Sequence, residues 1–158
     1  MGNTNLPPSR RQGFELDGKA RAGSSVTVSA AYAYTEAKFL EGMWGGNTVP
    51  LVPRHKLNLG VAWDLASRTR LSAAASGVSE QRMDNDEPNS ARRIPAYYLV
   101  DLKLAQSFAW GRIAATVNNL FDEKYYDYAV RSAFTPDRYS VYPLPGRSFG
   151  FAAEVALH

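Results

Sequence analysis

Hydrophobic and polar residues alternate along most of this chain. In residues 14–22, Phe14, Leu16 and Ala20 point to one face, and charged side chains occupy the positions between them. A period of two is typical of a β-strand whose two faces meet different surroundings. The same alternation recurs in six further segments, so the pattern predicts about seven strands, most of them longer than the ~5–6 residues usual in globular proteins. The further segments are residues 26–39, 56–65, 69–80, 97–108, 112–122 and 148–157.

Proline positions and connection lengths divide the chain in the same way. All nine prolines lie outside the alternating segments, as expected because proline cannot donate a hydrogen bond to a strand ladder. Short turns and long links alternate, which predicts an all-β, antiparallel up-and-down meander with no substantial helix. Outer-membrane barrels have this asymmetry between their two ends. The short turns lie near residues 22–25, 66–68 and 109–111, and the long links near residues 40–54, 81–96 and 123–146.

Alternation alone leaves two architectures open. In a soluble sandwich or small barrel the apolar face is the core, whereas in an outer-membrane barrel it faces lipid. Long strands favour the membrane barrel, because a tilted strand needs ~9–11 residues to cross a bilayer. Aromatic residues near both strand ends also favour it, since amphipathic rings concentrate at membrane interfaces. These residues are Trp63, Phe108 and Trp110 near the short turns, and Tyr32, Tyr34, Phe39 and Phe149 toward the long links.

The membrane interpretation assigns a face to individual residues. Charged side chains such as Glu15, Lys19 and Lys103 should face the concave side, where a wide lumen can pair them. The first and last strands should be unpaired on their outer edges, because seven strands are fewer than the eight of the smallest such barrels. The residues expected to face lipid are Val26, Val28, Leu57, Leu59, Val61, Val100, Leu102, Phe149, Phe151 and Val155.

Four segments resemble the carboxy-terminal part of TonB-dependent outer-membrane receptors, in the family's order. They are residues 13–17 (GFELD), residues 31–37 (AYAYTEA) with 52–55 (VPRH), residues 117–125 (VNNLFDEKY) and residues 142–149 (YPLPGRSF). The resemblance implies part of a 22-stranded transmembrane β-barrel, whose last seven strands these would be. The family's plug domain, TonB box and signal peptide have no counterpart here. We therefore expect residues 1–158 to be a carboxy-terminal segment of the receptor barrel.

The same resemblance implies a function and a location. Receptors of this kind lie in the cell outer membrane and take up iron–siderophore complexes or similar nutrients. The implied partners are outer-membrane lipid, a ferric siderophore or similar small ligand, and the TonB system acting through the plug. A self-contained small β-barrel or soluble β protein, acting as a ligand-binding module or adhesin, is the alternative.

The family motif positions are interpreted as structural. Period two would put Asn118 and Asp122 on the inward face, where they can hydrogen-bond neighbouring strands. Proline restricts φ, and glycine adopts conformations that other residues avoid. The motif positions are Asn118, Asn119, Leu120, Phe121, Asp122, Tyr125, Pro145, Gly146 and Arg147.

Ligand-binding chemistry is expected in the long links. Arginine binds carboxylates and phosphates with a planar fork, and tyrosine offers a flat surface to catecholate or macrocyclic ligands. The alternative is a set of solvated loop charges. The candidates are Arg92, Arg93 and Tyr97 in the second link and Arg131, Arg138 and Tyr139 in the third.

Composition argues against other functions. The chain has no cysteine, two histidines and a net charge of +3, so we expect no metal site, cofactor or nucleic-acid partner. Residues 84–87 faintly resemble a calcium loop, but Asn89 and Pro95 stand where its glycine and glutamate belong. His55 is interpreted as a loop-to-strand junction. With no Ser/His constellation or nucleotide-binding motif in view, an enzyme is not expected.

Overall fold

Seven strands form one antiparallel sheet in the computed structural model, which describes residues 6–66, 68–135 and 137–156. The order β1-β2-β3-β4-β7-β8-β11 makes each strand a neighbour of the next long strand along the chain. Two short ladders, β5–β6 and β9–β10, lie in the long connections. The strands are β1 Ser9–Ala22, β2 Val26–Phe39, β3 His55–Ala66, β4 Thr69–Val78, β5 Gln81–Arg82, β6 Arg93–Ile94, β7 Tyr97–Phe108, β8 Gly111–Asn118, β9 Ala129–Arg131, β10 Tyr139–Val141 and β11 Ser148–Val155.

The predicted all-β meander of seven strands is confirmed, and within the described residues helix is confined to one 3-10 turn at Gly42–Trp44. In the described part of the chain, no helix is long and apolar enough to cross a membrane. The predicted extension of the last strand to Leu157 lies outside the described residues. We name the three long connections the first loop (residues 40–54), the second loop (79–96) and the third loop (119–147).

The prediction for the sixth long strand was wrong at its end. β8 stops at Asn118, because Asn119 and Asp122 adopt left-handed conformations with φ of 51° and 56°. A strand cannot continue through such residues. The alternation of the strand therefore does not extend to Asp122. The prediction that Asp122 shares the inward face with Asn118 was wrong.

Strand register separates an apolar face from a polar one. One row of directly opposed residues crosses the whole sheet as Ala20, Val28, Val61, Ala73, Leu102, Val117 and Phe149. The adjacent row, on the other face, is Arg21, Thr27, Ala62, Ser72, Lys103, Thr116 and Gly150. Because successive side chains of a strand point to opposite faces, the first row belongs to a continuous outward apolar surface.

Most of the residues expected to face lipid are exposed. Phe149 and Phe151 are 76% and 75% exposed, and Leu59 and Val61 are each 45% exposed. Val26, Val100 and Leu102 are half-buried, since side chains on neighbouring strands cover part of them. The apolar residues thus form a surface of the sheet and not the interior of a closed core.

The sheet is open at both sides. In the described residues, β1 pairs with β2 alone and β11 with β8 alone. The outer edge of each terminal strand is therefore unpaired, as predicted. A sheet that spans a bilayer must close to pair its backbone groups, so in a membrane these two edges would require further strands.

Aromatic residues mark both ends of the apolar face. Phe108 and Trp110 stack at a short turn, with ring centroids 5.0 Å apart and planes 9° apart. Near the long loops, Phe14 lies between Tyr32 and Tyr34, at 5.9 and 5.8 Å. Phe39 differs from the prediction: it is 2% exposed and packs against Trp44 of the first loop. Phe39 lies an odd number of positions along β2 from Tyr32 and Tyr34, so its side chain faces the opposite side of the sheet.

The long loops pack against one another. Met83, Ile94 and Ala129 form a buried apolar cluster, with Leu51 and Tyr126 packed around it. These residues come from all three loops, so burial of the cluster joins them. This small core supports the candidate site.

Candidate functional site

A pocket of about 440 Å³ lies where the second loop meets the third. Arg131 and Tyr139 are directly opposed in the β9–β10 ladder, so one hairpin supplies two neighbouring residues of the pocket wall. The backbone N–H of Ser132 donates to the Arg138 carbonyl at 2.9 Å and closes this hairpin further. The lining residues are Ser90, Ala91, Arg92, Arg131, Asp137, Arg138 and Tyr139.

Four of the six predicted ligand-binding residues meet in this pocket. Arg92 comes from the second loop, whereas Arg131, Arg138 and Tyr139 come from the third. Three arginines and one carboxylate, that of Asp137, line the pocket, and one of the arginines, Arg131, is also paired with the buried Asp86 at 3.8 Å. This excess of positive charge favours an anionic guest, because guanidinium groups donate paired hydrogen bonds to carboxylate and similar anions.

The other two predicted residues lie elsewhere. Arg93 forms an ion pair with Glu80 across the base of the second loop. Tyr97 begins β7, and its ring centroid is 4.7 Å from that of Tyr125. Neither residue lines the arginine pocket, so the structure divides the predicted set into a group of four and two separate residues.

A buried carboxylate lies behind the arginine pocket, and sequence reasoning did not identify it as part of the site. Asp86 has no solvent-exposed surface and accepts the backbone N–H groups of Ser90 and Ala91 at 2.9 and 3.0 Å. Its oxygens also lie 3.3 Å from Arg82 and 3.8 Å from Arg131. Asp86 therefore ties the second loop to an arginine of the third loop.

Its neighbour Asp84 also joins the two loops. Asp84 forms an isolated parallel bridge with Val130, and its carboxylate accepts the Tyr128 hydroxyl at 2.7 Å. That hydrogen bond, with smaller effects of burial and charge, raises the pKa of the Tyr128 hydroxyl.

The described residues contain no group of three or more acidic, histidine or cysteine side chains that could hold a metal.

Tyr126 packs against the apolar cluster, and its hydroxyl is influenced by two residues of the arginine pocket. Burial is the main cause that raises the pKa of Tyr126; Tyr139 adds to this, and Arg92 opposes it. A second, wider depression of about 770 Å³ lies on the same hairpin and includes Asn85 and Phe134. The two depressions share Arg131, Asp137, Arg138 and Tyr139.

The family motif forms a clamp where the third loop leaves and re-enters the sheet. Asp122 accepts the backbone N–H of Arg147 at 2.8 Å and the Lys124 ammonium at 2.9 Å. These contacts hold the pKa of Asp122 below its ordinary value of 3.8. A Cβ added at Gly146 would lie 2.6 Å from the Asp122 carboxylate, so any other residue here would displace that carboxylate from its position in the clamp.

Asn119 fastens the start of the same loop. Its backbone N–H donates to the Asp101 carboxylate at 2.8 Å. Its side-chain amide donates to the Glu123 carbonyl and accepts the Glu123 N–H, both at 2.9 Å. Asn118 donates to the Ser148 hydroxyl at 3.2 Å, and the Leu120 carbonyl accepts the Arg147 guanidinium at 3.3 Å. Phe121 is exposed.

The tyrosine of this motif contributes to the other end of the loop. The carbonyl of Tyr125 accepts the Leu144 N–H at 3.1 Å, which places Pro145 beside the clamp. The motif residues thus make contacts within the third loop and to β7 and β11.

A family model identifies the fold. Residues 1–120 match the model described as "TonB dependent receptor-like, beta-barrel". The chain belongs to the TonB-dependent receptor β-barrel family. Members of this family are outer-membrane proteins, and this receptor chain is placed in the outer membrane accordingly.

Curated relatives agree with this family. The ferrichrome outer membrane transporter/phage receptor of Escherichia coli is 28% identical over 124 residues, covering 73% of this chain and 16% of the relative. The metal-pseudopaline receptor CntO of Pseudomonas aeruginosa is 30% identical over 125 residues, covering 75% and 17%. The chain therefore spans about a sixth of the length of the curated relatives it matches.

Solved structures share the fold of this receptor chain. The siderophore receptor PiuA of Acinetobacter baumannii superposes with a TM-score of 0.80 at 20% identity, covering 93% of this chain and 22% of that one. The ferric yersiniabactin uptake receptor FyuA of Yersinia pestis also gives 0.80, at 22% identity, covering 93% and 23%. The open seven-stranded sheet thus has the form of one sector of a much larger barrel.

Proposed function

We propose that the chain supplies seven strands and three ligand-binding loops to an outer-membrane TonB-dependent receptor that takes up a ferric siderophore or a similar metal chelate. Relatives named as a ferrichrome transporter and a metal-pseudopaline receptor support this function. We assign residues 1–158 to the carboxy-terminal segment of the barrel, because the motifs occur in that order and both sheet edges are unpaired. The TonB system would act through a plug domain enclosed by the complete barrel.

The arginine pocket carries the proposal about the ligand. Arg92, Arg131 and Arg138 present guanidinium groups, and Tyr139 adds an aromatic surface. Negatively charged chelates with carboxylate or catecholate oxygens suit this combination, because charge-assisted hydrogen bonds are roughly twice as strong as neutral ones. Asp86 would act as a positioning residue for Arg131 and not as a ligand contact, since it is buried behind the pocket.

Arg93 and Tyr97 receive a different assignment. The ion pair of Arg93 with Glu80 and the tilted packing of the Tyr97 ring against Tyr125 use both side chains within the protein. We assign them to loop support, and ligand contact to Arg92, Arg131, Arg138 and Tyr139.

Binding of labelled iron chelates to the receptor tests this function. The probes are an anionic ferric tris-catecholate and a neutral ferric trihydroxamate. We expect the receptor to bind the anionic probe more tightly than the neutral one. In the double variant Arg92→Gln/Arg138→Gln, the affinity for the anionic probe should fall by about tenfold or more, because each substitution removes a charged hydrogen-bond donor. Arg93→Gln is the matched control and should bind as the wild type does.

Uptake supplies a second, independent measurement. An uncoupler that collapses the inner-membrane proton gradient should abolish accumulation of the labelled chelate in cells and leave surface binding intact. Equal binding of both probes by the wild type and the double variant would contradict the assignment of the pocket. Accumulation that persists in uncoupled cells would contradict energised transport.

A further inference from the structure

Asn89 joins the second loop to the first loop. Residues 47–49 of the first loop pair with residues 37–39 at the end of β2, through a bridge between Lys38 and Thr48. Because backbone groups alternate in direction along such a pair, the N–H and C=O of Thr48 point away from β2. The Asn89 side chain satisfies both: its Oδ1 accepts the Thr48 N–H, and its Nδ2 donates to the Thr48 carbonyl, each at 2.9 Å.

The chemistry of this link suits asparagine. Its amide carries one acceptor and two donors, so it can replace the peptide group of a neighbouring strand. The Asn89 amide also donates to the Asp86 and Glu87 carbonyls, at 3.0 and 3.2 Å. Its φ is 59°, in the left-handed region that asparagine tolerates better than most residues. The Asn47 amide strengthens the same link by donating to the Glu87 carbonyl at 2.8 Å.

The link ends where the wall of the arginine pocket begins. Residues 90–92 follow Asn89 and line the pocket. Asp86 holds the first two of their N–H groups, and the Ala91 carbonyl accepts the Arg82 guanidinium at 3.0 Å. Among the described residues, none of the first loop lines this pocket. The first loop therefore reaches the pocket wall only through the backbone of the second.

We propose that Asn89 is a positioning residue for Arg92, and that the first loop thereby sets the affinity of the pocket for an anionic chelate. This inference rests on the proposed function of the pocket. Asn89 does not itself line the pocket, so it acts through residues 90–92. A guanidinium held in place before the ligand arrives loses less conformational freedom on binding, and this pre-organisation raises affinity.

Asn89→Gly tests this role, because glycine keeps the left-handed conformation and removes the side-chain hydrogen bonds. The probes are the anionic ferric tris-catecholate and the neutral ferric trihydroxamate. We expect the affinity of the receptor for the anionic probe to fall by about fivefold and that for the neutral probe to stay unchanged. A general loss of folded protein would lower binding of both probes equally, so the ratio of the two affinities reports the position of Arg92.

A second variant breaks the same link from the first loop. Thr48→Pro removes the N–H that Asn89 accepts, and this N–H takes no part in the pairing with β2. We expect it to lower the same ratio. Thr48→Ala keeps the backbone groups and is the matched control, which should bind both probes as the wild type does.

A double-mutant cycle shows whether the effect passes through Arg92. Asn89→Gly combined with Arg92→Gln should bind the anionic probe as Arg92→Gln alone does, because positioning has no effect without the guanidinium. Additive losses, or an unchanged ratio of affinities in Asn89→Gly, would overturn the proposal.

Hydrogen exchange tests the link without a ligand. Exchange of residues 90–92 should accelerate in both Asn89→Gly and Thr48→Pro, and unchanged exchange in both would overturn the role of Asn89. A wild-type receptor that does not distinguish the two probes would instead contradict the proposed function of the pocket.

Discussion

Asp86 and Arg131 form an ion pair across two loops, at a distance of 3.8 Å, with the carboxylate completely buried. The partner Arg82 lies on the other side of the same carboxylate, at 3.3 Å. A buried charge is tolerated when it is paired and hydrogen-bonded, and Asp86 satisfies both conditions. This carboxylate couples the fold of the second loop to the position of an arginine in the candidate ligand pocket.

Removing this carboxylate should loosen both loops. In Asp86→Ala, two arginines lose their buried partner, and a loss of about 3–5 kcal/mol is expected for breaking such a pair. Hydrogen exchange should accelerate in residues 81–94 and 129–141 while the long strands stay protected. Asp17→Asn, a change to an exposed carboxylate of β1, is the control. Unchanged exchange in both loops would contradict the coupling.

Two adjacent asparagines should differ strongly in importance. Asn119→Ala removes two side-chain hydrogen bonds to Glu123 and puts alanine at a φ of 51°. We expect the free energy of unfolding to fall by about 1–3 kcal/mol. Asn118→Ala is the matched control, because it removes one 3.2 Å hydrogen bond at an exposed position. Equal destabilisation by the two variants in denaturant titrations would contradict this assignment.

Arginine at the centre of the apolar face should oppose membrane insertion. Val61→Arg is expected to cost about 2–4 kcal/mol if this position lies near the bilayer midplane. Ala62→Arg changes the next residue, which faces the opposite side of the sheet, and should cost less. Refolding of the receptor into lipid vesicles measures the difference. An equal cost for both variants would show that the apolar face does not contact lipid.

The Asp122–Arg147 clamp should weaken in acid. Because the pKa of Asp122 is lower in the folded protein than its ordinary value of 3.8, its stabilising contribution is complete above that value. The contribution is lost as the pH falls through the folded pKa. Amide exchange at residues 122 and 147, corrected for intrinsic rates, should therefore accelerate below about pH 4.

A neutral variant checks the origin of this pH dependence. Asp122→Asn should remove the acceleration, because the amide does not titrate in this range. A wild-type profile that stays flat down to pH 2 would contradict the prediction, and an acceleration that persists in Asp122→Asn would assign the transition to another group.

Alternation of side chains determined the strands and their faces. The apolar row through Val28, Val61 and Leu102 follows from a period of two, because each strand pairs with its sequence neighbour. The short turns leave little freedom in that pairing. The open edges were predictable as well, since seven strands are too few for a barrel of this class.

Only the tertiary structure decided how the loops meet. No periodic pattern relates Asp86 to its partner Arg131, or Arg92 to Tyr139 on the wall of the same pocket, and each pair is about 45 positions apart along the chain. Left-handed residues such as Asn119 end a strand without interrupting the alternation of the sequence. Local spacing therefore determines the sheet, whereas packing around the buried cluster of Met83 and Ile94 determines which arginines share one pocket.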